Sequence, residues 1–258
     1  MIISDTEISG FIQQYALPFT RIASMFMIAP VLGARVVSAR VRLVLAFLLT
    51  LIVVPLLPEF DSPAPLSMQG VLYIFRELAI GALMGFVFQV VFQMFVLAGQ
   101  YIAMKMGLGF AIMNDPTNGV QTTVISQFFL MLTTVMFIAI NGHLYLISLV
   151  VESFQLSPVG STNFNFYSLM ELVNLGSWMF AAALVFSLPV LTSLLFINIA
   201  FGVMSRAAPQ LNIFAVGFPF TLVCGLALIW VGLSNYMEVF QLAADTGFET
   251  IHRIIGKN

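Results

Sequence analysis

Six stretches of this chain are each long and apolar enough to cross a lipid bilayer, and that pattern constrains its fold more than any other feature. A helix rises about 1.5 Å per residue and the hydrocarbon layer is about 30 Å thick, so roughly 20 mostly apolar residues make one crossing. The stretches fall near 8–32, 41–57, 71–98, 124–151, 175–204 and 211–233. The second is short and ends at Pro55 and Pro58, while the third and fifth are long enough to tilt, kink or divide. Between the third and fourth, the segment 99–121 is glycine-rich, carries Lys105 and reaches a stop at Asn114-Asp115-Pro116, and is too mixed to span. The longest polar connection, 153–174, is too short to fold alone. The expectation is an all-α membrane protein of about six long hydrophobic helices in hairpins, forming one integral membrane domain over 1–258.

Composition supports this and excludes several alternatives. The 258 residues are 60% hydrophobic and 8% charged, with a mean hydropathy of +1.05, which is more apolar side chain than a soluble core can hide. Nine basic against eleven acidic residues give a net charge of -2 and offer nucleic-acid phosphates no basic patch. Cys224 is the single cysteine, so no disulfide closes within the chain. The start carries Asp5 and Glu7 instead of the positive charge of a signal peptide and is expected to be retained. Arginine and lysine near span ends tend to stay on the cytoplasmic side. Arg35, Arg40 and Arg42 follow the first span, Lys105 the third and Arg206 the fifth, whereas the alternate connections hold Glu59, Asp61, Glu152 and Glu171 with no basic residue. That places the amino terminus outside. The tail, with Arg253 and Lys257, runs against the pattern and is only diluted by Asp245 and Glu249.

Three charges, Arg21, Arg76 and Glu77, lie in or beside apolar runs, where an isolated charge costs roughly 2.5–3.5 kcal/mol at the centre of a membrane helix. Adjacent positions point about 100° apart, so Arg76 and Glu77 cannot pair across one face and need partners on other helices; the alternative is that both snorkel to the interface. Burial in protein is favoured by the row at helical spacing that follows: Glu77, Gly81, Gly85, Gln89, Gln93. The glycines admit a second backbone and the amides can hydrogen-bond across it, whether the neighbour belongs to this chain or another subunit.

Catalytic chemistry is not expected. His143 and His252 are the two histidines, and no nucleophile with a base, metal spacing or phosphate loop accompanies them. No cofactor or metal is expected. An ion-coupled secondary transporter is the rival reading, resting on Glu77 and the Asn141-Gly142 interruption, although no second deep carboxylate matches it. The central segment places Met104, Met106 and Met113 with Phe110 beside Gly107 and Gly109. Adaptable thioethers and glycine hinges fit a deformable stopper, but composition alone favours a half-buried connector with methionine as filler.

Four ordered blocks resemble the FliR/SpaR/YscT-like family of type III protein-export membrane components. They are Pro30-Val-Leu-Gly-Ala-Arg35 with Ala39-Arg-Val-Arg42; Arg76-Glu-Leu-Ala-Ile-Gly81 with Gly85; Gly107-Leu-Gly-Phe-Ala111 with Asp115-Pro116; and Ser205-Arg-Ala-Ala-Pro-Gln-Leu-Asn-Ile-Phe214 leading to Gly217-Phe-Pro219. The resemblance implies a non-catalytic subunit of an export gate in the bacterial inner membrane, at the flagellar basal body or, alternatively, in a virulence injectisome. The family's partners would be FliP-like and FliQ-like subunits, with FlhB-like and FlhA-like components nearby and unfolded secreted proteins as substrate. A FliP-like portion would run over roughly 1–165 and a FliQ-like portion over 166–258, assembled with the partners into a helical gate complex. The family's plug loop falls on 106–122, which implies a channel stopper of Met104, Met106, Gly107, Gly109, Phe110, Ile112, Met113, Asp115 and Pro116. Arg21, Arg76, Glu77, Gly81, Gly85, Gln89 and Gln93 are then expected at subunit interfaces, and Arg35, Arg40, Arg42 and Arg206 at the cytoplasmic rim.

Overall fold

A computed structural model of the chain describes residues 5–34, 37–58, 60, 67–109, 123–160, 166–207 and 213–256, with side chains described from 14, 170 and 217 onward in the helices that begin at 5, 166 and 213. Among the described residues the fold is all helical: α1 (Asp5–Ile28), α2 (Ala39–Val53), α3 (Met68–Lys105), α4 (Val124–Ala139), α5 (Gly142–Leu156), α6 (Phe166–Ala207), α7 (Ile213–Gly232) and α8 (Tyr236–Gly256). Short 3-10 turns at Val54–Leu56 and Leu233–Asn235 extend α2 and join α7 to α8.

The helix boundaries follow local chemistry. Pro30 disfavours helical geometry at the residue before it, so α1 stops at Ile28. Val31 then takes a left-handed φ of 68°, costly for a β-branched residue. Ser38 caps α2 by accepting from the Val41 N–H at 3.5 Å. At the other end of α3, Gly107 has φ 86°, Leu108 N–H donates to Ala103 O at 3.0 Å and Gly107 N–H to Met104 O at 3.2 Å. This pair of bonds is a Schellman cap, which requires a residue at ease with positive φ. Thr123 opens α4, its hydroxyl accepting from the Ser126 N–H at 3.2 Å.

One correction to the six-span expectation follows. Four helical stretches among the described residues are long and apolar enough to cross: Ala39–Leu56, Met68–Lys105, Met170–Ala207 and Gly217–Gly256. The first expected span is helical as α1, 24 residues from Asp5 to Ile28. The fourth breaks at Asn141 into α4 and α5, bent by 67°, so it crosses only if the bent pair is one span. Asn141 adopts a left-handed φ of 57°, and a side chain at buried Gly142 would collide with the Phe137 ring. Asparagine tolerates that conformation and glycine that contact, which is why the break falls there. The tail that ran against the orientation pattern is helical. α8 continues from the sixth span, burying Phe240, Ala243, Ala244, Ile251, Ile254 and Ile255 while exposing Glu238, Asp245 and Glu249. A spacing of three and four residues makes it amphipathic.

Contacts divide the chain into two compact units. The first contains Met1–Val90, Phe137–Leu175 and Thr246–Asn258. Its apolar core includes Ile22, Met25, Met84, Phe88 and Leu146, and the Phe88 ring lies 6.0 Å from Phe137 and 4.6 Å from Phe248. The second contains Val91–Met136 and Gly176–Asp245. Its core is an aromatic cluster in which Phe95 lies 5.7 Å from Phe186, 5.1 Å from Tyr236 and 6.1 Å from Phe240, and Phe129 stacks on Tyr236 at 5.9 Å. One hydroxyl pair crosses that cluster. Thr133 Oγ1 donates to Phe129 O at 2.7 Å and shares a 2.6 Å hydrogen bond with the Tyr236 hydroxyl.

Candidate functional site

Within the first unit, the charges singled out from the sequence converge on one buried arginine. Arg21 of α1 is fully buried, and its Nε donates to Glu77 Oε2 of α3 at 2.6 Å. Its Nη1 donates to Ser153 O at 3.0 Å and Ser153 Oγ at 3.2 Å, and its Nη2 to Ser157 O at 2.9 Å. The Phe154 ring lies under the guanidinium, 4.3 Å from its centroid. Ser153 and Ser157 stand at the carboxyl end of α5, where helix carbonyls lack intrahelical donors and the dipole is negative. Arg21 thus does two jobs: it neutralises Glu77 and caps α5. Its planar fork suits this better than a lysine ammonium would.

The glycines after Glu77 bring α1 close enough for the pair to form. A Cβ at Gly81 would fall on Arg21 O and Ser24 Oγ, and one at Gly85 would lie 2.9 Å from Ala29 N and 3.0 Å from Met25 O. Glu77, Gly81 and Gly85 are one turn apart each and form a single seam on α3. In place of the subunit interface expected for Arg21, Glu77, Gly81 and Gly85, the structure packs Glu77, Gly81 and Gly85 of α3 against α1 of the same chain, which carries Arg21. The spacing could not distinguish these cases because any close helix satisfies it. Arg76 turns instead to Ser157, with Nη2 donating to its Oγ at 2.9 Å. Further along α3, Gln89 is half-buried and Gln93 exposed, so the α1 seam does not extend to them. Glu77 Oε1 is buried with no hydrogen-bond partner.

The stopper residues fall into two groups. Phe110, Ile112, Met113, Asp115 and Pro116 lie outside the described residues. Of the rest, Met104 is exposed, Met106 is buried and Gly109 is half-buried. Gly107 serves as the cap of α3, a role the hinge reading missed although a lysine and glycine at the end of an apolar run signal it. Among the rim residues, Arg35 lies outside the described residues, and Arg40 and Arg206 are exposed. Arg42 is half-buried and closes the turn between α1 and α2, donating from Nε and Nη2 to Val37 O at 3.1 and 2.7 Å and from Nη2 to Ala34 O at 3.1 Å.

Two residues the sequence left unplaced meet acids at the end of α8. His252 Nδ1 lies 3.9 Å from Glu152 Oε1, and Arg253 Nη1 lies 3.7 Å from Glu171 Oε2. Arg253, which ran against the orientation pattern, is thereby paired with an acid in the first turns of α6.

Comparison with known proteins places the chain in a family. The profile of the bacterial export proteins, family 1, matches residues 12–246. Flagellar biosynthetic protein FliR of Pectobacterium carotovorum subsp. carotovorum is 35% identical over 247 residues, covering 93% of this chain and 94% of the relative. FliR of Escherichia coli (strain K12) is 35% identical over 244 residues, 92% of this chain and 93% of the relative. FliR of Bacillus subtilis (strain 168) is 28% identical over 249 residues, with 93% and 94% covered. The chain therefore belongs to the bacterial export proteins, family 1, as an integral membrane protein of the FliR type found in the flagellar export apparatus.

Proposed function

We propose that this chain is a non-catalytic core subunit of the flagellar type III export gate in the bacterial inner membrane, at the flagellar basal body. It builds, with FliP-like and FliQ-like subunits, the conduit through which unfolded flagellar proteins leave the cytoplasm, next to FlhB-like and FlhA-like components. A FliP-like portion over roughly 1–165 and a FliQ-like portion over 166–258 each offer helices to that assembly. Arg40 and Arg206, with Arg35 and Arg42, stand at its cytoplasmic rim.

The supporting observation is a mismatch of length. From Met170 to Met204, both exposed, α6 rises about 50 Å at about 1.5 Å per residue, whereas the hydrocarbon layer covers about 30 Å. Tilt absorbs only part of that excess. Exposed Val173, Val185, Phe196 and Val203 line the same helix. Apolar side chains beyond the bilayer require protein to cover them, and in three of the four stretches only 22% of an apolar 18-residue window is buried by this chain itself. Partner subunits supply that cover, which explains why a small protein carries such long apolar helices. The segment 106–122 is the stopper of the conduit, closing it to small ions between substrates. Energy for export comes from other components.

Purification from detergent-solubilised membranes tests the assembly. The expected result is that the tagged chain elutes only with small hydrophobic partners; a stable monomer that moves a small solute alone would sink the reading. Removing Gly107 to Asn118 tests the stopper, with ion leakage across the membrane expected. A tight membrane with normal secretion would remove that role.

A further inference from the structure

We propose, resting on the stopper reading above, that the end of α3 is held shut by an apolar seat on α7, in which Met106 fills a notch at Gly225 and Phe218 packs over Gly107. All four residues belong to the second unit. Met106 is 1% exposed. A Cβ at Gly225 would lie 2.6, 2.7 and 2.8 Å from Met106 Cγ, Sδ and Cε, so the thioether occupies the space a side chain there would take. One residue on, a Cβ at Gly107 would lie 2.8 and 2.9 Å from Cδ2 and Cε2 of Phe218. Phe218 and Gly225 are seven residues apart, two turns on one face of α7, with buried Thr221 between them.

Three features suit this contact to release and return. Glycine inside a helix is unfavourable relative to alanine, so Gly225 is explained by what it admits. Methionine is unbranched and adaptable, and leaves or re-enters a notch without a unique rotamer. The seat itself is carbon and sulfur, so parting it orphans no buried donor or acceptor, in contrast to the Arg21–Glu77 seam. The Schellman bonds lie within α3 and its cap and travel with them. Gly225 and Phe218 are therefore positioning residues for the segment that begins at Met106.

The test is a volume swap, read in cells carrying the export apparatus as small-ion leakage and in the purified complex as thermal midpoint. Gly225→Leu should raise leakage about tenfold and Met106→Ala about threefold, while the double variant Gly225→Leu/Met106→Ala returns to within about twofold of the native chain, because the new side chain fills the vacated notch. If Gly225→Leu fails to accumulate, Gly225→Ala carries the same comparison, with leakage up about threefold and reduced by Met106→Ala. Leakage that multiplies in the double variant overturns the seat. Midpoints rescued by the swap with no leakage in any single variant leave a packing contact only and overturn the latch. The deletion of Gly107 to Asn118 separates the two failures: if it leaks while the Gly225 variants do not, the seat is wrong and the stopper stands; if neither leaks, the stopper is wrong as well.

Discussion

The two units solve the problem of holding helices together in opposite ways. The first concentrates its specificity in one buried charge network, Arg21 with Glu77, Ser153 and Ser157, set between glycines that let α1 and α3 approach. The second relies on aromatic rings around Phe95, Phe129, Phe186 and Tyr236, crossed by the hydroxyl pair of Thr133 and Tyr236. A charge network is directional: removing one member strands the others in a low dielectric. An aromatic cluster is held by area and geometry, and each ring shares its contacts with several neighbours. The first unit should therefore behave as all-or-none and the second as graded.

The largest expected effect is the loss of one partner of the buried pair. Arg21→Met leaves Glu77 charged and buried and removes the cap of α5, and should cost about 3–5 kcal/mol. The measurement is the amount of chain recovered in the membrane and its thermal midpoint in detergent. Arg21→Met with Glu77→Leu should recover most of that loss, since an apolar pair of similar volume needs no desolvation. Were the double variant as unstable as the single, the pair would be more than a mutual neutralisation, and the α5 cap would carry the energy.

Next comes the glycine seam. Gly81→Ala forces a methyl onto the Arg21 carbonyl, a backbone atom that cannot rotate away, and should cost about 1–3 kcal/mol. Gly109→Ala is the control, since its Cβ would meet nothing nearer than Met104 Cγ at 3.8 Å, and its thermal midpoint should match the native chain. Equal midpoints for Gly81→Ala and Gly109→Ala would contradict the close approach of α1.

In the second unit Tyr236→Phe should cost only about 1 kcal/mol, because Thr133 Oγ1 keeps its bond to Phe129 O and nothing is stranded. A loss as large as that of Arg21→Met would show that the two units are not different in kind. The smallest effect is expected at the end of α8. His252→Ala or Arg253→Ala removes long, partly exposed contacts with Glu152 or Glu171 and should change the midpoint by no more than about 0–1 kcal/mol would.

Much of this architecture can be read from residue order alone. Long apolar runs demand helices in lipid because backbone donors and acceptors find no water there, so α2, α3, α6 and α7 emerge near their expected places. The ridge Glu77-Gly81-Gly85 announces a close helix neighbour for the same local reason, since charge and bare backbone are both poor company for hydrocarbon. The identity of that neighbour was not legible. Arg21 lies 56 positions from Glu77, and Ser153 132 positions from Arg21, so only the folded chain joins them. Asn141-Gly142 was legible as an interruption but not as a 67° bend, because the bend depends on Phe137 packing over the glycine. Gly107 was legible as a helix breaker and not as a cap whose neighbour is seated on α7.

Residue order was sufficient to establish a helical membrane protein of the export family, since hydropathy, helix period and motif spacing are properties of neighbours along the chain. Tertiary structure alone decided that Arg21 pairs with Glu77 inside the chain, that the same arginine reaches the end of α5, and that Met106 rests in a notch at Gly225. Those outcomes depend on distances between residues far apart in the chain. Such distances are set by how side chains of given volume and charge fill shared space, which no local pattern encodes.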